Sequence, residues 1–86
     1  MSYELLYTAR AKKDIKKLNS QILDRLERGL VAIGEDPARG KPLTGSLKGL
    51  WSYRIGKCRA IYRPIKKERV VIIEHVGYRR EIHKKR

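Results

Sequence analysis

Residues 52–63 read "SYRIGKCRAIYR", and the way this segment pairs with itself decides the fold. Trp51, Tyr53 and Ile55 alternate with Ser52, Arg54 and Gly56. Beyond Lys57, the residues Cys58, Ala60 and Tyr62 alternate with Arg59, Ile61 and Arg63. A period of two is the signature of a half-buried strand. Gly56-Lys57 then reads as a two-residue hairpin turn, with glycine first as a type II′ turn requires. That register sets Ile55 against Cys58, Tyr53 against Ala60 and Trp51 against Tyr62 on one apolar face. On the other face it sets Arg54 directly against Arg59, and like charges so placed are destabilising.

Outward from the hairpin the pattern continues. "RVVIIEHV" is nearly continuous in apolar residues, as expected of a central strand. Pro64 and the following "KKE" make the turn before it, and Gly77 ends it. Upstream, "EDPARGKPLTGSLKGL" holds three glycines and two prolines and reads as a loop with a turn or two. At the start, "YELLY" reads as a strand. Thr8 can cap a helix in which Ala11, Ile15 and Leu18 share one face. Asn19 or Ser20 can cap a second helix, where Leu23, Leu26, Leu30 and Ile33 recur at helical spacing. Gly34 is expected to end it in the left-handed position. The order is β-α-α-β-β-β. The expected class is α+β: two N-terminal helices packed on one face of a small antiparallel sheet, with Arg54 and Arg59 on the other. "YRREIHKKR" closes the chain as a short polar tail or a helix of one or two turns.

Eighty-six residues suit one domain, spanning 1–86, and a modest core is possible at this size. No apolar run reaches the roughly 18 residues a membrane span needs. The first residues carry their apolar side chains ahead of their charges, the reverse of a secretory signal. The one cysteine, Cys58, excludes an intrachain disulfide and reads as a small core hydrophobe. A reducing cytoplasm fits.

Charge is the strongest compositional signal. The formal net charge is +13, which points to a polyanionic partner. It is unevenly spread. Residues 37–67 carry nine Lys or Arg and no Asp or Glu, whereas the first 36 residues carry seven bases and six acids. The tail adds five bases against one acid.

The motifs exclude several chemistries. His75 and His83 stand apart, with no second cysteine and no carboxylate pair at metal-ligand spacing, so no metal or other cofactor is expected. No phosphate-loop or dinucleotide fingerprint occurs. Glu74 and Glu81 are too few and too surrounded by base for a glycosidase pair, and no serine triad is visible. What remains is a set of guanidiniums, ammoniums, tyrosines and an imidazole. Arginine presents a planar fork of donors to phosphate oxygens and stabilises charge building on a phosphoryl group. RNA can be cut with little else: its own 2′-hydroxyl attacks phosphorus, a base takes that proton, and an acid protonates the leaving 5′-oxygen. His83, with a reference pKa of about 6.5, suits either role, and Tyr78 is a weaker candidate. His75, inside the apolar strand, reads as a core or sheet-face residue. The Arg54–Arg59 repulsion is then tolerated because a phosphate belongs between the two side chains.

Three segments carry a family resemblance over nearly the whole chain: "YELLYTARAKKDIKKL", "GSLKGLWSYRIGKCRAIYRP" and "VVIIEHVGYRREIHKK". They resemble the RelE/ParE superfamily of toxin–antitoxin toxins, and within it the RelE branch. The most specific parts are "LTGSLKGLWSYRIGKCRAIY" and the closing "VGYRREIHKK", which is close to the family's Gly-His-Arg-Arg-Glu-x-Tyr ending. The resemblance implies a β-α-α-β-β-β toxin that enters the ribosomal A site and cuts mRNA there, held inactive by an acidic RelB-type antitoxin in a hetero-oligomer. Carried over by position, Arg54, Arg59, Arg79 and His83 are the implied catalytic set, with His83 where many members have a tyrosine. An alternative alignment puts Lys85 there. Lys48, Lys57, Arg80, Lys84 and Lys85 are the implied RNA-binding cations. Ser52 stands where one branch has a lysine, so one general-base candidate is missing. ParE-type members share the fold but poison DNA gyrase and lack this basic set. A gyrase inhibitor and a non-catalytic RNA- or ribosome-binding module are the rival readings.

Overall fold

The hairpin forms in the expected register. A computed structural model describes residues 2–78. In it β3 (Trp51–Ile55) pairs antiparallel with β4 (Cys58–Ile65), and Ile55, Tyr53 and Trp51 face Cys58, Ala60 and Tyr62. Gly56 has φ 60°, and Arg69 is the one non-glycine residue with positive φ among the described residues. Lys57 therefore has negative φ, which makes the turn type II′.

The remaining elements are β1 (Glu4–Tyr7), α1 (Ala9–Lys16), α2 (Ser20–Glu35), a two-residue β2 (Lys41–Pro42) and β5 (Val70–Tyr78). The sheet order is β1-β5-β4-β3-β2. The α+β class and the order of the main elements are as expected, with two refinements. β2 adds a fifth strand on the free edge of β3. The sheet is mixed rather than antiparallel, because β1 runs parallel to β5. There β1 satisfies the outer backbone edge of β5, with Glu4 N–H donating to Arg69 O at 2.9 Å and Thr8 N–H to Ile73 O at 3.1 Å. Without that pairing the edge would leave a row of unpaired donors and acceptors.

Both helices start where their caps dictate. Thr8 Oγ1 accepts from Ala11 N–H at 3.0 Å, and Asn19 Oδ1 accepts from Ile22 N–H at 3.0 Å. The choice between Asn19 and Ser20 thus falls to Asn19. Gly34 does not end α2: it is buried inside the helix, which runs one residue further. Its backbone meets the chain ahead of β1, where Tyr3 N–H donates to Gly34 O at 2.7 Å. A Cβ at Gly34 would lie 3.4 Å from Tyr3 O, an ordinary contact distance, so neither a left-handed turn nor a tight approach requires glycine here. Pro64, expected in a turn, lies within β4 opposite Val71, and β5 runs past Gly77 to Tyr78. Beyond Tyr78 the tail falls outside the described residues.

The core lies between the helices and one sheet face. It joins Ala11 of α1, Leu26, Leu30 and Ile33 of α2, Ile55, Ala60 and Tyr62 of the hairpin, and Val71, Ile73 and Val76 of β5. No helix among the described residues is long and apolar enough to cross a membrane.

Tyr62 ties this core to the loop after α2. It is 0% exposed. Its hydroxyl donates to Pro37 O and accepts from Gly40 N–H, the latter at 3.2 Å. Burial pushes its pKa up to about 12, opposed by the Gly40 N–H and reinforced by the negative charge of Asp36. Tyr62→Phe leaves two backbone groups without their partner and is expected to cost about 1–3 kcal/mol in urea unfolding. The raised value favours the neutral phenol in the folded chain. Its contribution is therefore complete below pH ~10 and lost as pH climbs toward about 12. The wild type should lose stability over that alkaline window more steeply than Tyr62→Phe.

Candidate nucleic-acid interface

The sheet face turned away from the helices carries the polar half of each alternation. Arg54 pairs with Arg59 across the hairpin, Ser52 with Ile61, Ile61 with His75, and Arg63 with Ile72. The two arginines expected side by side are therefore side by side, but they do not extend toward each other in the same way. Arg54 is exposed, whereas Arg59 is half-buried and its Nη1 donates to Ser52 Oγ at 2.7 Å. Ser52 is itself 4% exposed. The guanidinium of Arg59 is thus tied to Ser52, two residues along β3 from Arg54. This relieves part of the like-charge repulsion and aims a charged fork of donors at a defined spot.

The sequence reading treated Ser52 only as a missing lysine, yet it positions Arg59. The signal was present: Ser52 shares a face with Arg54 and sits one row from Arg59 in the register. Arg63 is a second omission. Its Nε lies 3.6 Å from Glu74 Oε2, and its guanidinium is the nearest neighbour that a Cβ at Gly49 would meet.

A β-bulge shapes the far side of this face. The β4–β5 register steps from Ile61↔His75 to Tyr62↔Ile73, leaving Glu74 as the extra residue. Bulges re-aim side chains, and here the effect is to bring His75 onto the open face beside α1. His75 Nδ1 lies 2.7 Å from Asp14 Oδ2, and Val76 N–H donates to the same oxygen at 3.0 Å. Arg10 Nη2 lies 3.3 Å from His75 Nε2. Thr8 Oγ1 donates to Glu74 O at 3.1 Å, pinning the start of α1 to the bulge. Next to these groups lies a cleft of about 360 Å³, walled by Leu43, Leu47, Leu50 and Ile61 and edged by Thr8, Arg10, Glu74 and His75. Leu47 is 50% exposed.

The other expected cations are dispersed. Lys48 sits in the loop between Leu47 and Leu50 but does not line this cleft. Lys57, in the hairpin turn, lines a different cleft of about 510 Å³ beside α2, with Arg25, Arg28 and Cys58 among its neighbours. Arg79, Arg80, His83, Lys84 and Lys85 lie outside the described residues. Among the described residues no three His, Cys, Asp or Glu side chains come together as a metal-ligand set. The described face therefore presents the guanidiniums of Arg54 and Arg59, an apolar wall and an oriented imidazole.

Residual Arg54–Arg59 repulsion has a measurable consequence. Arg54→Ala should leave stability unchanged or raise it by up to about 1 kcal/mol in urea unfolding, despite the loss of a side chain from a strand. A loss of more than that would mean Arg54 makes a structural contact beyond its charge.

Comparison with known proteins fits this arrangement. The family model of the ParE toxin of the type II toxin–antitoxin system parDE matches residues 5–83. Toxin RelG of Mycobacterium tuberculosis is 33% identical over 87 residues, covering 99% of this chain and all of that protein. The M. tuberculosis RelBE2 toxin–antitoxin complex contains a chain that superposes with a TM-score of 0.87 at 32% identity, over 92% of this chain and 93% of its own. In the intact E. coli RelBE toxin–antitoxin complex the matching chain gives a TM-score of 0.75 at 26% identity, over 90% and 96%.

Proposed function

The chain belongs to the RelE/ParE superfamily of type II toxins, and we propose that within it this protein acts as a ribosome-dependent endoribonuclease that cleaves mRNA in the A site. The observation that carries this reading is the Arg54–Arg59 pair on the uncovered sheet face, with Arg59 aimed by a buried Ser52. Two arginines in cross-strand register on one face, one of them held by Ser52, can offer their donors to a single phosphate. The reaction is attack by the RNA's 2′-oxygen on the adjacent phosphorus. The new O–P bond forms as the P–O5′ bond breaks, leaving a 2′,3′-cyclic phosphate and a 5′-hydroxyl. Negative charge grows on the phosphoryl oxygens during this step, and the arginines act on it by charge-assisted hydrogen bonds. His83 is the proposed proton-transfer group of the C-terminal segment. Arg79 supplies further charge to the phosphoryl group, and Arg80, Lys84 and Lys85 supply RNA affinity, as do Lys48 and Lys57.

The partners follow from the same reading. Toxins of this fold are found with antitoxins in the M. tuberculosis and E. coli complexes. A chain of net charge +13 calls for an acidic RelB-type antitoxin in a hetero-oligomer, and a ribosomal target places the protein in the cytoplasm. The antitoxin's affinity for this chain is expected to fall by about tenfold or more from 50 to 500 mM salt. Titration calorimetry at both salts checks this, and a flat affinity would contradict charge pairing as its basis.

Purified protein added to programmed ribosomes should create new mRNA ends within the A-site codon. Arg59→Ala should slow the cut by at least about tenfold, equivalent to about 1.4 kcal/mol of transition-state stabilisation. His83→Gln should slow it by roughly 10²–10⁴-fold. The rival reading, gyrase poisoning, draws on the match to the ParE family model. A parallel assay for gyrase-linked DNA breaks separates the two: trapped breaks with intact mRNA would favour the rival.

A further inference from the structure

Cleavage by 2′-hydroxyl attack needs two proton-transfer groups, and the family-like positions on this chain supply one, His83. We infer that His75 is the other: the general base that removes the 2′-hydroxyl proton. The inference rests on the nuclease reading above and names a residue that the sequence pattern marks only as a core or sheet-face position.

Its basis is geometric. Asp14 Oδ2 lies 2.7 Å from Nδ1 of His75. Val76 N–H donates to that same oxygen, which anchors the carboxylate independently of the ring. An Nδ1–H donated to Asp14 leaves Nε2 with its lone pair outward. This is the orienting arrangement that a base requires: one ring nitrogen held by a carboxylate, the other aimed at the reacting proton. The pair is partly shielded, with side-chain exposures of 21% for His75 and 15% for Asp14. His75 lines the cleft walled by Leu47 and Ile61, as does Arg10, whose guanidinium contacts Nε2.

The phosphate clamp is on the correct side. His75 pairs with Ile61, and Ile61 with Ser52, the residue that holds Arg59. Two strand spacings separate His75 from Ser52, about 10 Å. A phosphate held by Arg59 above Ile61, with its ribose turned toward the cleft, brings the 2′-hydroxyl to Nε2. Arg10 is the gate. In the free protein its exposed guanidinium donates to Nε2 at 3.3 Å. A phosphate is a stronger acceptor than a neutral imidazole, so bound RNA draws Arg10 off the ring and frees the lone pair. The 2′-hydroxyl proton then passes to Nε2 as the 2′-O–P bond forms, and O5′ receives its proton from the second group as the P–O5′ bond breaks. The charged groups at His75 are Asp14 and Arg10 from α1 and Glu74 from its own strand, with Arg63 of β4 paired to Glu74.

The test is single-turnover cleavage of A-site mRNA on ribosomes at saturating toxin, from pH 5.5 to 8.5, with thermal unfolding of each variant in parallel. His75→Gln keeps an amide donor for Asp14 and is expected to cut at least 100-fold more slowly. Its half-saturating concentration should be unchanged, and its rate should no longer rise with pH as that of the wild type does. A synthetic mRNA with sulfur in place of the scissile 5′-oxygen has a leaving group that needs no acid. It should not rescue His75→Gln, but it should rescue His83→Gln. Asp14→Asn retains an oxygen for both hydrogen bonds and removes only the charge; it should cut about tenfold more slowly and decides the matter if His75→Gln unfolds. Wild-type rate and profile in His75→Gln, or in Asp14→Asn where the former is unfolded, would overturn the inference and leave the nuclease reading intact. Rescue of His75→Gln by the sulfur substrate would overturn it by making His75 the acid. No new ends from the wild-type protein would overturn both readings together.

Discussion

A left-handed glycine at one turn constrains most of this molecule. With Gly56 at φ 60°, the hairpin closes over two residues and only one register is open to it. A slip of one residue would exchange its faces, placing Trp51, Tyr53 and Ile55 against solvent and Arg54 against the helices. The register puts Tyr62, 0% exposed, where its hydroxyl can reach the loop after α2. It also puts Arg59 within reach of Ser52. The core and the basic face are therefore two consequences of a single pairing.

The charges of the open face are organised rather than merely abundant. Arg59 is anchored to Ser52, Arg63 lies against Glu74, and Arg10 lies against His75, while Arg54 extends into solvent. Anchoring a guanidinium reduces the freedom lost when a ligand binds, which is where preorganised sites gain over flexible ones. Asp14 and Glu74 are the acids of this region, and both are used to position a neighbour.

α1 links the two halves of the site. Its cap, Thr8, bonds to the bulge residue Glu74, and one turn carries Arg10 and Asp14 to either ring nitrogen of His75. Buried Ala11 on the same helix fixes its height over the sheet. The bulge supplies the extra residue that turns His75 out of the apolar run. Local irregularity in β5 and regularity in α1 thus combine to make one oriented imidazole.

Much of this was legible from residue order, because it depends on local periodicity. Two-residue alternation reports the hairpin and the Arg54–Arg59 pair. Helical spacing reports the stripe of Leu26, Leu30 and Ile33, and side-chain oxygens at Thr8 and Asn19 report the helix starts. Other features arise only when distant segments meet. Gly34 reads as a helix stop because its contact with Tyr3, 31 positions away, leaves no local trace. The parallel pairing of β1 with β5 and the bulge at Glu74 are likewise decided by which backbone edge is free after the hairpin forms. The Asp14–His75 contact spans 61 positions, and no spacing rule connects a helical aspartate to a strand histidine. By itself, the sequence determined the elements, the hairpin register and the sign of the exposed face, since these follow from side-chain period, turn chemistry and charge. Tertiary structure alone decided which of those charges are held in place and which imidazole is oriented, because a hydrogen bond needs two groups within about 3 Å, and only the packed chain brings them there.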